Sequence, residues 1–266
     1  MTAENGRIPA NVFVRPKLLP DDTFLFDYSL FFISTLHDLL EQEEDEELLH
    51  DLYPIAQKQM DLALTQVDGQ GALLLTEEIP VFIDWSNDFS KDTAGQAVML
   101  YALKQFISLT EHMQLDPAKY EEVYQRMKGY ALEKLFDKEK HLFVSGSDRE
   151  INIASQTWMV IAGILDKDEN QEVMQAAYQE LFPIKNIATP YMYHHIAEAL
   201  CLAGMKNEAT CLIKSYWGKM LALGADTFWE AFDPEKPDYS PYGSPMVNSY
   251  CHAWACTPIY LLKKYF

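Results

Sequence analysis

Basic residues are scarce in this chain: Lys and Arg number 21 against 40 Asp and Glu in 266 residues, a formal charge of −19. Such a surface repels phosphate backbones and anionic headgroups, so neither nucleic acid nor a membrane is an expected partner. Long apolar runs are missing as well. The longest, such as Trp158 to Leu165, fall far short of the ~20 residues of a membrane span and sit inside helical patterns. The first residues, MTAENGRIPANVF, lack both a basic start and an apolar core, so they do not read as a signal peptide, and the sequence assigns no compartment. Cysteine is sparse and confined to the last quarter: Cys201, Cys211, Cys251 and Cys256 form no C-x-x-C pair and read as reduced thiols. His194 and His195 are adjacent, hence ~100° apart on a helix, unlike an i, i+4 ligand pair. No metal and no cofactor are expected.

What remains is apolar enough to fold, with 48% hydrophobic and 13% aromatic residues, which excludes disorder. Strand-like alternation is brief, at Val12 to Val14 and around Leu73 to Ile83. Helical periodicity fills the rest and predicts helices over 27–41, 46–66, 93–113, 117–135, 152–165, 169–182, 190–203, 206–222 and 248–264. Asp116-Pro117 and Thr189-Pro190 mark helix starts, a capping residue before proline. Segments 93–113, 152–165 and 190–203 are apolar around most of their circumference, whereas 117–135, 169–182 and 206–222 carry a single stripe. A buried helix followed by a half-exposed one, repeated, predicts an all-α architecture of two concentric layers, an α/α toroid or curved stack. The irregular spacing of the buried helices argues against a regular solenoid. The acidic run Glu41 to Glu47 reads as a solvated hairpin tip, because it lacks the glycine and alternating ligands of a calcium loop.

Links from a buried helix to the next are tight, near Asp116, Lys167 and Gly204. The opposite links, 67–92, 136–151, 183–189 and 223–247, are mostly long and would gather at one end. They combine rings (Trp85, Phe89, Phe228, Trp229, Phe232, Tyr239, Tyr242) with carboxylates (Asp84, Asp88, Asp148, Glu150, Asp226, Glu230, Asp233). Aromatic faces stack on the C–H surface of sugar rings and carboxylates accept from vicinal hydroxyls, so the combination suits a neutral carbohydrate. The same residues would serve equally to cap helices and seal a loop-covered core.

The stretch Trp217 to Met220, then GADTFWEAFDP, then Asn248 to Pro258 with its His-x-Trp, resembles the closing hairpin of bacterial α-L-rhamnosidases, family 78 of the glycoside hydrolases. GRIPANVFVRP resembles the segment entering that family's barrel, FDYSLFFISTLHDLL an inner helix, VFIDW its Asp-Trp loop, and SQTWMVIAGIL the inner helix after it. The resemblance implies an (α/α)6 toroid of six-hairpin glycosidase type and inverting hydrolysis of terminal rhamnose from glycans or glycosides. It implies Glu230 as general base, with Asp27, Asp84, Trp85 and His252 lining the sugar subsite and Trp229 stacking nearby. The family's general acid lies in an Arg-Asp-Glu-Arg type motif, followed by Trp-x-Gly-Asp, upstream of the GRIPANVF match. The chain is therefore expected to be one partial catalytic domain, 1–266, without the first hairpin, prone to self-association through exposed inner-helix surface.

Physical alternatives stand beside each assignment. Asp27 suits a helix N-cap, Trp85 a plug between loops, and His252 a core histidine near the start of the last helix. Tyr239 and Tyr242, in a proline-rich loop, are candidates for contact with a leaving-group sugar. A carbohydrate-binding remnant without catalysis, a related α/α-barrel glycosidase for another sugar, and a helical protein-interaction module are the competing functions.

Overall fold

The computed structural model describes residues 2–43 and 45–266. Among these the chain runs β1 (Val12–Phe13), β2 (Leu19–Pro20), α1 (Phe26–Glu43), α2 (Glu46–Leu64), α3 (Asp92–His112) and α4 (Ala118–Tyr130), the last prolonged by a π-turn at Ala131–Leu135. It continues with β3 (Phe136–Asp137), β4 (Leu142–Phe143), α5 (Ile153–Ala162), α6 (Lys167–Leu181), α7 (Pro190–Leu202), α8 (Lys206–Ala222) and α9 (Pro258–Tyr265). No helix among the described residues is long and apolar enough to cross a membrane.

The chain forms two compact units. The first comprises the described residues of Met1–Phe82 with Gly95–Phe136. Here α1 packs on α2. The link between them carries the acidic run; Glu44 of that run lies outside the described residues, and Asp45 caps α2 by accepting from Leu48 N at 3.0 Å. Tyr53 stacks on Phe106 with ring centroids 5.4 Å apart and shares a 2.9 Å hydrogen bond with Thr110, so its burial leaves no unpaired hydroxyl. Gln96 pins the loop after α2 by accepting from Leu73 N and donating to Gly71 O. Gly71 is obligatory: its φ is +96° and a Cβ would come within 2.5 Å of the Arg126 carbonyl.

The second unit comprises Ile83–Ala94 and Asp137–Phe266. Its α5 packs against α6 and α7, and α7 also meets α8 and α9. Every residue of α5 from Ile153 to Val160 is buried, whereas α6 buries only Asn170, Val173, Met174 and Ala177. The expected alternation of enclosed and one-sided helices is thus visible residue by residue. Enclosure leaves Gln156 with no water, and its side chain bonds to Phe143 N and Phe143 O at 2.7 Å each, fixing β4. Helix starts are chemically marked: Asn152 caps α5, Asp166 and Glu169 form a capping box on α6, and Thr189 with Pro190 opens α7 as the sequence predicts. The capping box moves the start of α6 to Lys167, two positions before the predicted boundary.

The expected helix 248–264 is wrong in its first half. Only Pro258–Tyr265 is α-helical, preceded by a 3-10 turn at Ala253–Ala255. The backbone of 249–252 is used elsewhere: Ser249 O accepts from Glu230 N at 2.8 Å, and His252 N donates to Phe228 O at 3.0 Å. Those bonds hold 228–230 beside 249–252 and override the local helical periodicity.

Candidate active site

Glu230 stands on the loop after α8 and is 6% exposed. Its Oε1 accepts a 2.5 Å hydrogen bond from the Tyr242 hydroxyl, and its Oε2 accepts from Ser249 N at 3.2 Å. His252 Nδ1 lies 3.9 Å from the same Oε2. The main chain of Glu230 is held too, by its own N–H on Ser249 O and by the Trp254 indole donating to its carbonyl at 2.9 Å. A carboxylate taken from water needs donors, and here two converge on it while the loops that carry it are cross-bonded. Burial and the bond to Glu230 push the Tyr242 phenol up to about 12, so it is a hydroxyl donor through the neutral range.

His252 is half-buried and belongs to no helix; its ring sits 4.3 Å from Trp254. Behind that pair the rings of Tyr191, His195 and Trp158 follow one another, Trp254 to Tyr191 at 5.7 Å, Tyr191 to His195 at 4.5 Å and His195 to Trp158 at 4.4 Å. Helices α7 and α5 therefore supply an aromatic wall. Trp229 is half-buried between Phe232 and Tyr250, edge-on to each at 5.5 Å. Along the same face of α7, Glu198 accepts from Lys264 and Tyr265, anchoring α9, with His194 Nε2 3.7 Å away and the His194 ring 4.9 Å from that of His195. Burial and the neighbouring His195 hold the His194 imidazole well down, at about 3.

Asp84 is 1% exposed and follows Ile83, whose φ of 53° turns the chain sharply. Its Oδ2 accepts from Ser86 N at 2.8 Å and Ala188 N at 2.9 Å, and its Oδ1 accepts from the Thr189 hydroxyl. Burial pushes its pKa up, opposed by those three donors and by Lys91. The carboxylate thereby ties the 84–86 turn to the residue that caps α7. Trp85, next in sequence, is half-buried and packs edge-on against Tyr242 at 5.4 Å. Asp84, Trp85, Trp229, Glu230 and His252 all belong to the second unit. Asp27 belongs to the first: it lies inside the first turn of α1 rather than at its N-cap, is 0% exposed, and accepts from Phe82 N through both oxygens at 3.0 and 3.1 Å.

Sequence reasoning did not show the hydrogen-bond partners of these acids. Nothing local marks Thr189 and Ala188 as donors to Asp84, about a hundred residues away, or Tyr242 as the donor to Glu230. Several cavities open in the second unit, among them one of 570 Å³ beside Gln175, Tyr178 and Asn207. One of 320 Å³ lies beside Phe89, Glu150 and Phe182; one of 290 Å³ lies between the 85–88, 184–188 and 233–239 segments. Among the described residues, the one group of side chains with converging metal-ligand atoms is His37, Asp38 and Glu41 in the first unit, an exposed arrangement common without an ion.

The bacterial alpha-L-rhamnosidase 6 hairpin glycosidase domain matches residues 3–266. The chain belongs to that family. The resemblance read from VFIDW and GADTFWEAFDP is borne out, and with it the all-α, six-hairpin fold class. A rhamnosidase from Klebsiella oxytoca, solved with rhamnose bound, is 43% identical with a TM-score of 0.93 and covers 99% of this chain and 52% of its own. The chain thus spans about half the length of that relative. The GH78 family rhamnosidase of a Bacillus species shares 18% identity with a TM-score of 0.78, over 93% of this chain and 27% of its own, a likeness of fold. A GH63 mannosylglycerate hydrolase from Thermus thermophilus, in complex with glucose, shares the fold at 15% identity and a TM-score of 0.67, over 88% of this chain and 79% of its own. No curated protein matches the chain. All three acids accept from protein donors: Asp27 and Asp84 from donors that are themselves buried, Glu230 on one oxygen from the 48% exposed Tyr242.

Proposed function

We propose that this chain carries the base side of an α-L-rhamnosidase site, acting in the inverting hydrolysis of terminal L-rhamnose from glycans or glycosides. The observation that carries the reading is Glu230: a nearly buried carboxylate with a donor on each oxygen and His252 alongside, in a family member 43% identical to a rhamnosidase that binds rhamnose. In this reaction a water oxygen bonds to the anomeric carbon on the face opposite the departing group while Glu230 takes one proton of that water. The bond from carbon to leaving oxygen breaks with its electron pair, and that oxygen takes a proton from a second carboxyl. Trp85, Trp229 and His252 line the sugar. Asp84 and Asp27 act as positioning residues, the first by setting the turn that carries Trp85 and the second by holding Phe82.

An activated aryl rhamnoside, whose leaving group departs as an anion, needs no protonation and reads the base alone. The chain turns this donor over, and Glu230→Gln slows it by about 10²–10⁴-fold with the melting temperature held. Equal rates for the two proteins would remove Glu230 from the chemistry. Turnover of another glycoside in preference to the rhamnoside would keep the mechanism and change the sugar.

A further inference from the structure

The 233–248 loop carries one donor to Glu230 and ends beside the other: the Tyr242 hydroxyl reaches Oε1, and Ser249 N reaches Oε2. Its own backbone offers little beyond single turns. Four of its residues are proline, at 234, 237, 241 and 245, and these have no N–H for a ladder. Within 240–248 the backbone bonds are Gly243 N to Ser240 O at 3.3 Å, with Val247 N to Ser244 O and Asn248 N to Pro245 O at 3.2 Å each. The Tyr242 ring meets Trp85 edge-on at 5.4 Å but is 48% exposed, so burial does little to set its direction.

A side chain closes the loop instead. Half-buried Asn248 donates through Nδ2 to the Tyr239 carbonyl at 2.9 Å, and its Oδ1 lies 2.7 Å from the Ser240 hydroxyl. A carbonyl only accepts, so Tyr239 fixes which end of the amide is which. The Ser240 hydroxyl hydrogen is then directed to Oδ1 or to Ser244 O, 2.8 Å away, while the Ser240 oxygen accepts from Tyr242 N at 3.2 Å. From Asn248 the bonds run through Ser240 to the backbone of Tyr242, and the next peptide unit is Ser249 N itself. One amide thus stands behind both donors to Glu230. The task needs a donor and an acceptor on one short planar group: aspartate keeps the shape but sets an acceptor against the Tyr239 carbonyl, and alanine supplies neither.

Resting on the rhamnosidase reading, we propose that Asn248 is a positioning residue. By closing the neck of the 239–248 segment it presents the Tyr242 hydroxyl and Ser249 N to Glu230, and so aims that carboxylate at the water it deprotonates. A misplacement of about 1 Å at a reacting group costs up to about 10²-fold in rate, so a loop that merely loosens is felt in the chemistry.

The test is a double-mutant cycle on the activated aryl rhamnoside. Values of kcat and KM are read well below the melting temperature of each protein for Asn248→Ala, Asn248→Asp, Tyr242→Phe, the combined Asn248→Ala and Tyr242→Phe variant, and Glu230→Gln. Asn248→Ala lowers kcat by about tenfold or more with KM held within about twofold. Asn248→Asp loses as much despite its shape, and takes the place of Asn248→Ala in the cycle if the latter does not fold. The combined variant stays within about twofold of Asn248→Ala alone, because the phenol has nothing more to lose once its loop is open, whereas independent effects would multiply to about a hundredfold. Full kcat in either Asn248 variant, losses that multiply, or a raised KM at constant kcat overturns the positioning role alone when Glu230→Gln is slow. A folded wild-type protein that does not turn the rhamnoside over, or that Glu230→Gln matches in rate, overturns the rhamnosidase reading and the positioning role with it.

Discussion

The two buried acids of the second unit, at the 84–86 turn and on the 228–232 loop, are built on opposite plans. Asp84 accepts from two backbone N–H groups and a threonine hydroxyl, all in short connections next to helix α7, and every acceptor direction these donors use points into the protein. Glu230 accepts from one backbone N–H and from a phenol carried by the proline-rich 233–248 loop, with a histidine within 4 Å. The first carboxylate is fixed by groups that cannot leave without unfolding the junction. The second is held on one oxygen by Tyr242, a side chain 48% exposed to solvent. Burial of the carboxylate alone does not separate the two plans; the exposure of the donors does.

That contrast is broken most severely at Asp84. Asp84→Ala leaves the Ala188 amide and the Thr189 hydroxyl unpaired in a dry junction and costs about 3 kcal/mol, read as a lower urea midpoint; activity per folded molecule changes little. A stable Asp84→Ala protein that has lost turnover would place Asp84 in the chemistry instead. Thr189→Val removes one donor to Asp84 and the N-cap of α7 together, and costs about 2 kcal/mol by the same measurement. Tyr242→Phe sharpens the other side: turnover of the activated donor falls about tenfold while the melting temperature holds, because the phenol orients Glu230 without supporting a core.

A further effect, on stability alone, lies at the His194–Glu198 pair of α7. His194 is neutral when folded, its pKa held at about 3 against ~6.5 unfolded, so the unfolded chain binds the extra proton as pH falls. Stability is unaffected above about pH 6.5 and declines below it, by up to about 1.4 kcal/mol per pH unit. Glu198, held below the usual carboxylate range, adds a loss in the same direction at lower pH. His194→Phe removes the histidine share, so the fall in urea midpoint from pH 7 to pH 5 becomes shallower; an unchanged slope would assign the acid sensitivity elsewhere.

Much of this was legible in the sequence because it is local. The buried and striped helices follow from the spacing of apolar residues and Thr189-Pro190 from capping chemistry, while the family resemblance singles out Glu230, Trp85 and His252 for the proposed site. What was hidden depends on contacts distant in sequence. Residues 249–252 read as helix because Tyr250, Ala253 and Trp254 fall at helical spacing, yet their backbone is claimed by 228–230. The resemblance of VFIDW to the family's Asp-Trp loop implies Asp84 in the sugar subsite; it does not show the donors Ala188 N and Thr189 Oγ1, more than 100 residues away. No pattern within the 233–248 loop shows that Tyr242 rather than Tyr239 reaches Glu230.

The division of labour between the two acids is tested most directly by measuring melting temperature and single-turnover rate on an activated rhamnoside for Glu230→Gln and Asp84→Asn side by side. The account predicts that Glu230→Gln keeps its melting temperature and loses the rate, whereas Asp84→Asn melts earlier and keeps the rate of its folded fraction. A Glu230→Gln protein that melts early but reacts normally, or an Asp84→Asn protein that melts normally and is inert, would contradict it.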